Sequence, residues 1–187
     1  MGKKTFNKQI ILDLGCGEYK INDKAYGVDI RRTSSVNVVC NIESNLPFKY
    51  ESVDIVYCRH VLEDIGDLET LLKEITRILK RDGKIVIIVP HFSNSLAYSD
   101  YTHRRFFGYY TFDYFSSTKS KYWNVPRYRD DIRFRILKKC LIFRNIPLLG
   151  HIFEFIFNSH EWLAYVYESK LSWFLPCFEI EFILTKE

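Results

Sequence analysis

The stretch Ile10-Ile11-Leu12-Asp13-Leu14-Gly15-Cys16-Gly17 decides the fold of this chain. An apolar run of strand length ends in a Gly-x-Gly turn, where glycine lets the backbone turn sharply and approach a ligand closely. A second short strand, Ala25 to Asp29, ends in a carboxylate. In nucleotide-binding α/β sheets, an acid at this point accepts hydrogen bonds from both ribose hydroxyls. The pattern therefore predicts a nucleoside-containing ligand at the carboxyl ends of parallel strands.

The glycine motif differs from the dinucleotide-binding fingerprint, because the third glycine is missing after Gly17. Only about ten residues separate Gly17 from Gly27, whereas a helical crossover between parallel strands needs roughly a dozen or more. The sequence therefore predicts a loop, or one helical turn around Lys20-Ile21-Asn22, in place of the first helix. Both features disfavour a nicotinamide-dependent dehydrogenase.

The composition indicates one globular domain over residues 1–187. Aromatic residues make up 17% of the chain and are concentrated after residue 90, which predicts a cofactor-binding half (10–91) and an acceptor-side half (92–187). The net charge of +4 is mild. The densest basic run, from Arg127 to Lys139, is interrupted by acids, which disfavours nucleic acid as a partner. Five cysteines without paired spacing, and no signal peptide, favour free thiols and the cytoplasm.

A helix is predicted from Asp67 to Arg81, because leucine and isoleucine recur at helical spacing behind an aspartate cap. In this prediction Asp82-Gly83 ends the helix. The remaining predicted strands are Val36 to Cys40, Val53 to Tyr57, Lys84 to Val89, Ile132 to Phe143 and Phe178 to Leu184.

Four short segments extend the glycine motif into a larger pattern: Asp29, Asn41-Ile42, Leu46-Pro47-Phe48 and Val53 to Val56. Together they resemble the class I (Rossmann-like) S-adenosylmethionine-dependent methyltransferases, in particular the type 11 small-molecule group. The resemblance runs from Ile10 to about His91. It implies an α/β fold with a doubly wound, mainly parallel seven-stranded sheet, and the second half then adds an aromatic helical cap before the last strand.

The resemblance also implies S-adenosylmethionine as cofactor and S-adenosylhomocysteine as product. Asp13 would steady the glycine loop and the cofactor's amino group. Gly15, Cys16 and Gly17 would allow close approach of the methionine part. The same end would be lined by the residues just past strand four: Cys58, Arg59 and His60.

The adenosine part has its own predicted contacts within the resemblance. Asp29 would hold the ribose, and Ile30 would pack on adenine. Asn41 and Ile42 would contact the edge and the face of the adenine ring, since an amide oxygen can accept a bond from the adenine amino group. The alternative for Asn41 is that it only caps a turn.

On the acceptor side, His91 or His103 is the predicted general base, because histidine titrates near neutral pH. Asp100 would orient the base, and Arg104 would bind a polar or anionic group. The segment from Pro90 to Arg104 is similar to predicted methyltransferases linked with bacterial glycan or secondary-metabolite pathways. In the alternative interpretation, His103 and Asp100 form a structural hydrogen bond within a loop.

The predicted reaction is methyl transfer to a small or medium-sized acceptor, with oxygen favoured over nitrogen and a glycan, sugar-linked or aromatic metabolite as the acceptor class. The alternatives are a non-catalytic cofactor-binding or regulatory protein, and an RNA or protein methyltransferase. The aromatic segment 148–175 is predicted to be a lid, an acceptor wall or a homodimer contact. Contact with a membrane surface is the less favoured prediction, because the segment lacks a strong Lys/Arg face.

Overall fold

A computed structural model of the chain describes residues 9–118, 120–126, 128, 131–144 and 146–187. Arg127, Arg129 and Asp130 of the predicted basic run lie outside the described residues. The described part forms a seven-stranded sheet in the order β3-β2-β1-β4-β5-β7-β6. The first five strands run parallel, and β7 pairs antiparallel with both β5 and β6. This arrangement confirms the predicted mainly parallel seven-stranded sheet. The strands are β1 (Ile11–Leu14), β2 (Tyr26–Asp29), β3 (Val36–Val39), β4 (Val53–Arg59), β5 (Leu79–Pro90), β6 (Phe134–Ile142) and β7 (Glu179–Lys186).

Helix α1 (Leu68–Ile78) connects β4 to β5 and buries one apolar face against the sheet. Asp67 caps it as predicted, with its carboxylate accepting a hydrogen bond from the Thr70 amide at 3.0 Å. The helix ends at Ile78, so the predicted end at Arg81 was wrong. Leu79 is extended and pairs with Val53, because the first residues of β5 join the sheet directly after the helix. The face toward the core consists of Leu68, Leu71, Leu72, Ile75 and Ile78.

The segment between β1 and β2 contains turns and bends and no helix, as its length predicted. Side-chain hydrogen bonds hold it in place. The Asp13 carboxylate accepts from the Ile21 amide at 2.7 Å, and the Lys20 ammonium donates to the Ala25 carbonyl at 3.0 Å. These local polar contacts therefore hold the segment in place without a helix.

The second half supplies the cap. Helix α2 (Ser95–Ser99) and a 3₁₀ turn (Thr111–Phe115) follow β5, and helices α3 (Gly150–Asn158) and α4 (Glu161–Val166) follow β6. A π-helical turn (Tyr167–Leu171) then leads toward β7. Helices α3 and α4 are separated by Ser159 and His160. Among the described residues, no helix has the length and apolar character needed to cross a membrane.

Candidate functional site

A cleft of about 510 Å³ opens at the carboxyl ends of β1, β2 and β4. The chain leaves β1 for β2 on one side and reaches β4 on the other, so the cleft lies where the strand order reverses. Ligands of open α/β sheets bind at such switch points. The lining residues are Gly15, Cys16, Gly17, Asp29, Ile30, Arg31, Asn41, Ile42, Glu43, Arg59, His60, Val61, Asp64 and Ile65.

The glycine loop has the backbone conformation that its sequence predicted. Gly15 and Gly17 have φ angles of +67° and +56°, which residues with a side chain adopt at a cost. A Cβ atom at Gly15 would overlap the side chain of Val61, whereas a Cβ atom at Gly17 would meet open space. The amides of Gly15 and Cys16 both donate to the Val28 carbonyl, at 2.8 and 3.3 Å. These bonds fix the loop against β2 and leave its surface free for close ligand approach.

Asp29 lies at the end of β2 with only 7% of its surface exposed. Its two oxygens accept hydrogen bonds from the amides of Gly17 (2.9 Å) and Arg31 (2.8 Å). A carboxylate has about four lone-pair sites, so each oxygen can accept one further bond. The side chain is thus held rigidly at the cleft, with acceptor capacity for the two hydroxyls of a ribose.

The two isoleucines predicted to contact adenine lie on the cleft wall. Ile30 is 65% exposed and is available to pack on a flat ring, while Ile42 is 7% exposed and backs the wall from the core. Asn41 also lines the cleft, and its side-chain oxygen accepts from the Glu43 amide at 2.9 Å. Asn41 therefore caps a turn, which was the alternative, and its amide remains at the cleft.

Two predicted cofactor-binding residues lie behind the cleft rather than in it. Asp13 is 2% exposed and supports the loop through the Ile21 amide, and burial raises the pKa of its carboxyl. Cys58 has no exposed surface, and burial raises the pKa of its thiol far above the usual range. Cys58 shares a strand face with Val56, which is also fully buried. The predicted contact of Cys58 with the cofactor thus has no support in this geometry, because its side chain belongs to the core.

His60 is a cationic group at the cleft. Its Nε2 lies 2.8 Å from Oε1 of Glu179, and its Nδ1 lies 3.5 Å from Oε1 of Glu63. The hydrogen bond to Glu179, together with the contact to Glu63, raises the pKa of His60 to about 9. His60 has a φ angle of +51°, a conformation that residues other than glycine adopt rarely and mostly at functional or tightly held positions. The positive charge of protonated His60 is paired with these two carboxylates, so the neighbouring Arg59, which also lines the cleft, supplies the positive charge at this end.

Sequence reasoning missed both acidic partners of His60. Glu179 lies on β7, 119 residues away in the chain, and no sequence pattern connects it with His60. Glu63 stands three residues after His60 and is 2% exposed. Its Oε2 atom has no hydrogen-bond partner within the described part of the chain. The three-residue spacing between His60 and Glu63 could have indicated this contact from the sequence.

His91 lies outside the cleft and has no exposed surface. Its Nδ1 lies 2.8 Å from the Ser93 hydroxyl, and its Nε2 lies 2.9 Å from a carboxylate oxygen of Glu168. Both ring nitrogens therefore have partners inside the fold. The prediction of His91 as a base that contacts an acceptor finds no support here, because no acceptor can reach the ring.

His103 is placed differently, on a segment attached to the cleft. Its Nδ1 bonds to the Ala97 carbonyl at 2.8 Å, which makes Nδ1 the donor and leaves Nε2 directed toward Asp100 Oδ2 at 3.8 Å. The neighbouring Thr102 donates a hydrogen bond of 2.8 Å to Asp64, one of the cleft-lining residues. The segment thus contacts the cleft wall through Thr102, whereas His103 and Asp100 do not line the cleft themselves.

Comparison with known families gives one domain match. Residues 12–87 match the family model described as "Methyltransferase domain". An uncharacterised protein of Methanocaldococcus jannaschii, MJ0638, is 34% identical over 100 residues, which are 46% of this chain and 44% of the relative. A second protein of that organism, MJ1252, is 32% identical over 101 residues, covering 48% of this chain and 40% of the relative. The match thus spans less than half the length of these relatives.

Solved structures share the fold across the whole chain. A Haloferax volcanii protein, solved in complex with the Trm112 methyltransferase activator, has a TM-score of 0.57 at 16% identity and covers 95% of this chain and 82% of its own. A Listeria monocytogenes protein assigned as an S-adenosylmethionine-dependent methyltransferase has a TM-score of 0.52 at 18% identity, covering 97% and 91%. At these sequence identities the similarity shows a shared fold and nothing further.

Proposed function

Since residues 12–87 are a methyltransferase domain with the class I, Rossmann-like fold, we propose that this chain binds S-adenosylmethionine in the cleft and transfers its methyl group to a small or medium-sized acceptor. One observation carries the proposal. The carboxylate of Asp29, fixed by two backbone amides, stands beside a glycine loop in which Gly15 and Gly17 both have positive φ angles.

The residues present fit the chemical groups of the cofactor. Ile30 and Ile42 offer an apolar surface to the adenine ring, and Asp29 offers acceptors to the ribose hydroxyls. The guanidinium of Arg59 suits the carboxylate of the methionine part, because a charge-assisted hydrogen bond is stronger than a neutral one. A bound cofactor would supply a methyl group on a sulfonium, and an acceptor atom that bonds to the methyl carbon would displace the neutral sulfur of S-adenosylhomocysteine.

For an acceptor hydroxyl, the chain must also remove a proton. His103 is the proposed base: its Nδ1 is committed to the Ala97 carbonyl, so its Nε2 can take the proton while the acceptor oxygen forms the new bond to carbon. Asp100, 3.8 Å from Nε2, would stabilise the imidazolium that results. Oxygen remains the favoured acceptor atom. A glycan, sugar-linked or aromatic metabolite is the favoured class, supported by the sequence similarity of the Pro90–Arg104 segment alone.

The first experiment is calorimetric binding of S-adenosylmethionine and S-adenosylhomocysteine. Replacing Asp29 with alanine should cost about 1.5–3 kcal/mol, a loss of roughly 10- to 150-fold, because a hydrogen bond to a charged group is removed. Ile30→Glu should weaken binding by roughly tenfold, since it removes an apolar contact with the ring and adds a charge. Val39→Glu is the matched control, because Val39 is likewise an exposed apolar residue (46%) at the end of a neighbouring strand but does not line the cleft.

Absence of binding to the wild-type protein, or equal effects of Ile30→Glu and Val39→Glu, would contradict the proposed cofactor site.

His103→Gln tests the proposed role of His103 as the base. It should abolish methyl transfer to a panel of sugar glycosides and phenols while leaving the affinity for S-adenosylhomocysteine unchanged. Equal turnover by wild type and His103→Gln would exclude this role.

The second candidate is that the chain needs a protein partner in order to bind the cofactor. It is suggested by the Haloferax protein, which was solved with the Trm112 activator. Calorimetry on the isolated chain distinguishes the two cases. Micromolar binding by the chain alone means that cofactor binding needs no activator.

A further inference from the structure

Helix α3 exposes an apolar side to solvent. This surface, called here the outer face of α3, consists of Ile152, Phe155 and Ile156 on the helix and of two residues just before it, Leu148 and Leu149. Their side chains are exposed by 38 to 94%. The opposite side packs inward, with Phe153 and Phe157 against the ring of Phe143. A helix with apolar side chains on two opposite sides normally has both of them covered. The outer face of α3 is thus an unusual surface that the fold itself leaves uncovered.

The exposed charges of the segment that carries this face have one sign. Glu154 and Glu161 accept hydrogen bonds from the Phe143 amide (2.9 Å) and the Ser120 hydroxyl (2.6 Å). Glu168 accepts from the Tyr109 amide at 2.7 Å and also contacts His91. All three acids of the segment are therefore used by internal bonds. Within the described residues of 144–176, the exposed Asp, Glu, Lys and Arg side chains are Arg144 and Lys170.

The segments that follow α3 add exposed aromatic residues of the kind that favours a lipid–water interface. Trp162 is 51% exposed, Trp173 is 68% exposed and Phe174 is 88% exposed. Tryptophan and phenylalanine on an apolar face, with basic residues beside it, are typical of surfaces that lie among lipid headgroups. A second copy of the chain fits less well. A stable dimer uses about 20–30 residues on each side, and this apolar surface offers far fewer.

We propose that the outer face of α3 docks on the surface of an anionic lipid bilayer, with Arg144 and Lys170 directed toward lipid headgroups. The face would rest in the headgroup region rather than cross the membrane, since α3 has only nine residues. The proposal does not depend on the cofactor or the acceptor. Its failure and the failure of the proposed methyl transfer are therefore separate results.

The test is sedimentation of the purified full chain with lipid vesicles. One set contains phosphatidylcholine alone, and the other contains phosphatidylcholine mixed with phosphatidylglycerol. We expect binding to the mixed vesicles and a loss of roughly tenfold or more in Phe155→Asp, because an apolar side chain that inserts is replaced by a charge. Lys170→Gln should reduce binding to mixed vesicles by roughly fivefold, the effect of one basic residue near an anionic surface. Tyr101→Asp is the matched control, since Tyr101 is a 96% exposed aromatic residue outside this surface.

Phe155 is 78% exposed, so Phe155→Asp should keep the thermal midpoint of the wild type. An unchanged midpoint would show that the variant is folded and that its loss of vesicle binding has another cause. Three results would overturn the proposal: no sedimentation of the wild type with the mixed vesicles, equal binding to both vesicle types, or equal losses in Phe155→Asp and Tyr101→Asp. Light scattering gives a further decisive outcome. A wild-type dimer that Phe155→Asp converts to monomer, without vesicle binding, would assign the face to a second copy.

Discussion

The contact between His60 and Glu179 links the cleft to β7, and it can be removed with little change of shape by Glu179→Gln. Glu179 Oε1 lies 2.8 Å from His60 Nε2, and this bond is the largest cause of the raised pKa of His60, followed by the contact to Glu63. A rise from the ordinary value of 6.5 to about 9 corresponds to about 3 kcal/mol in favour of the protonated folded state. Because the His60 side chain is 43% exposed, solvent screening reduces this to about 1–2 kcal/mol.

The sign of the pH dependence follows from the direction of the shift. A raised histidine pKa contributes stability that is fully present below about pH 6.5 and is lost as the pH rises through about 9. In urea titrations, the contribution of this contact to the free energy of unfolding should therefore disappear between pH 6.5 and 9. In Glu179→Gln that loss should be smaller, and the His60 resonance in a proton NMR titration should move toward an ordinary histidine value.

Glu154→Gln is the control variant, because Glu154 contacts a different histidine, His151, at 3.3 Å. It should leave both the His60 titration and the pH slope unchanged. If His60 of the wild type titrates near 6.5, or if Glu179→Gln has the same pH slope as the wild type, the cationic assignment of His60 is wrong.

Two further predictions concern the glycine loop and a buried ion pair. Gly15→Ala should lower the free energy of unfolding by more than Gly17→Ala does in urea titrations. Both incur about 1–2 kcal/mol for a positive φ angle, but a Cβ atom at Gly15 also overlaps Val61; equal losses would contradict this. Lys139→Met should cost about 3–5 kcal/mol because it leaves the buried Asp113 carboxylate without its cation, and burial already raises the pKa of that carboxyl. The double variant with Asp113→Leu should recover most of this loss in the same assay, and failure to recover would mean that packing dominates.

Local patterns in the sequence predicted the elements, and the family resemblance predicted how they assemble into a seven-stranded sheet. Apolar runs, the short interval after Gly17 and the cap at Asp67 predicted the strands, the missing first helix and the start of α1. The end of α1 was not predictable from its own residues. Leu79 has ordinary helix propensity, but pairing with Val53 in the sheet stabilises the extended conformation there. Tertiary contacts overrode local preference at this position.

The candidate site was predictable where strand ends determine position, and Asp29 and Ile30 are examples at the cleft. The orientation of Cys58 could have been predicted, because residues two apart on a strand share a face and Val56 is apolar. The burial of His91 could not, since Glu168 reaches it from 77 residues away.

The position of β7 between β5 and β6 has a consequence for the order of synthesis. In the described sheet β6 pairs with β7 alone, yet β6 leaves the ribosome first, and residues 143–178 separate the two strands. At synthesis rates of roughly 5–20 residues per second, the interval lasts about 2–7 s. During this time β6 presents unpaired backbone groups to other nascent chains. Arg135 and Lys138, both exposed on β6, place positive charges along that edge, and such charges discourage pairing between like strands. The basic residues of β6 thus lie where a strand that waits for its partner would need them.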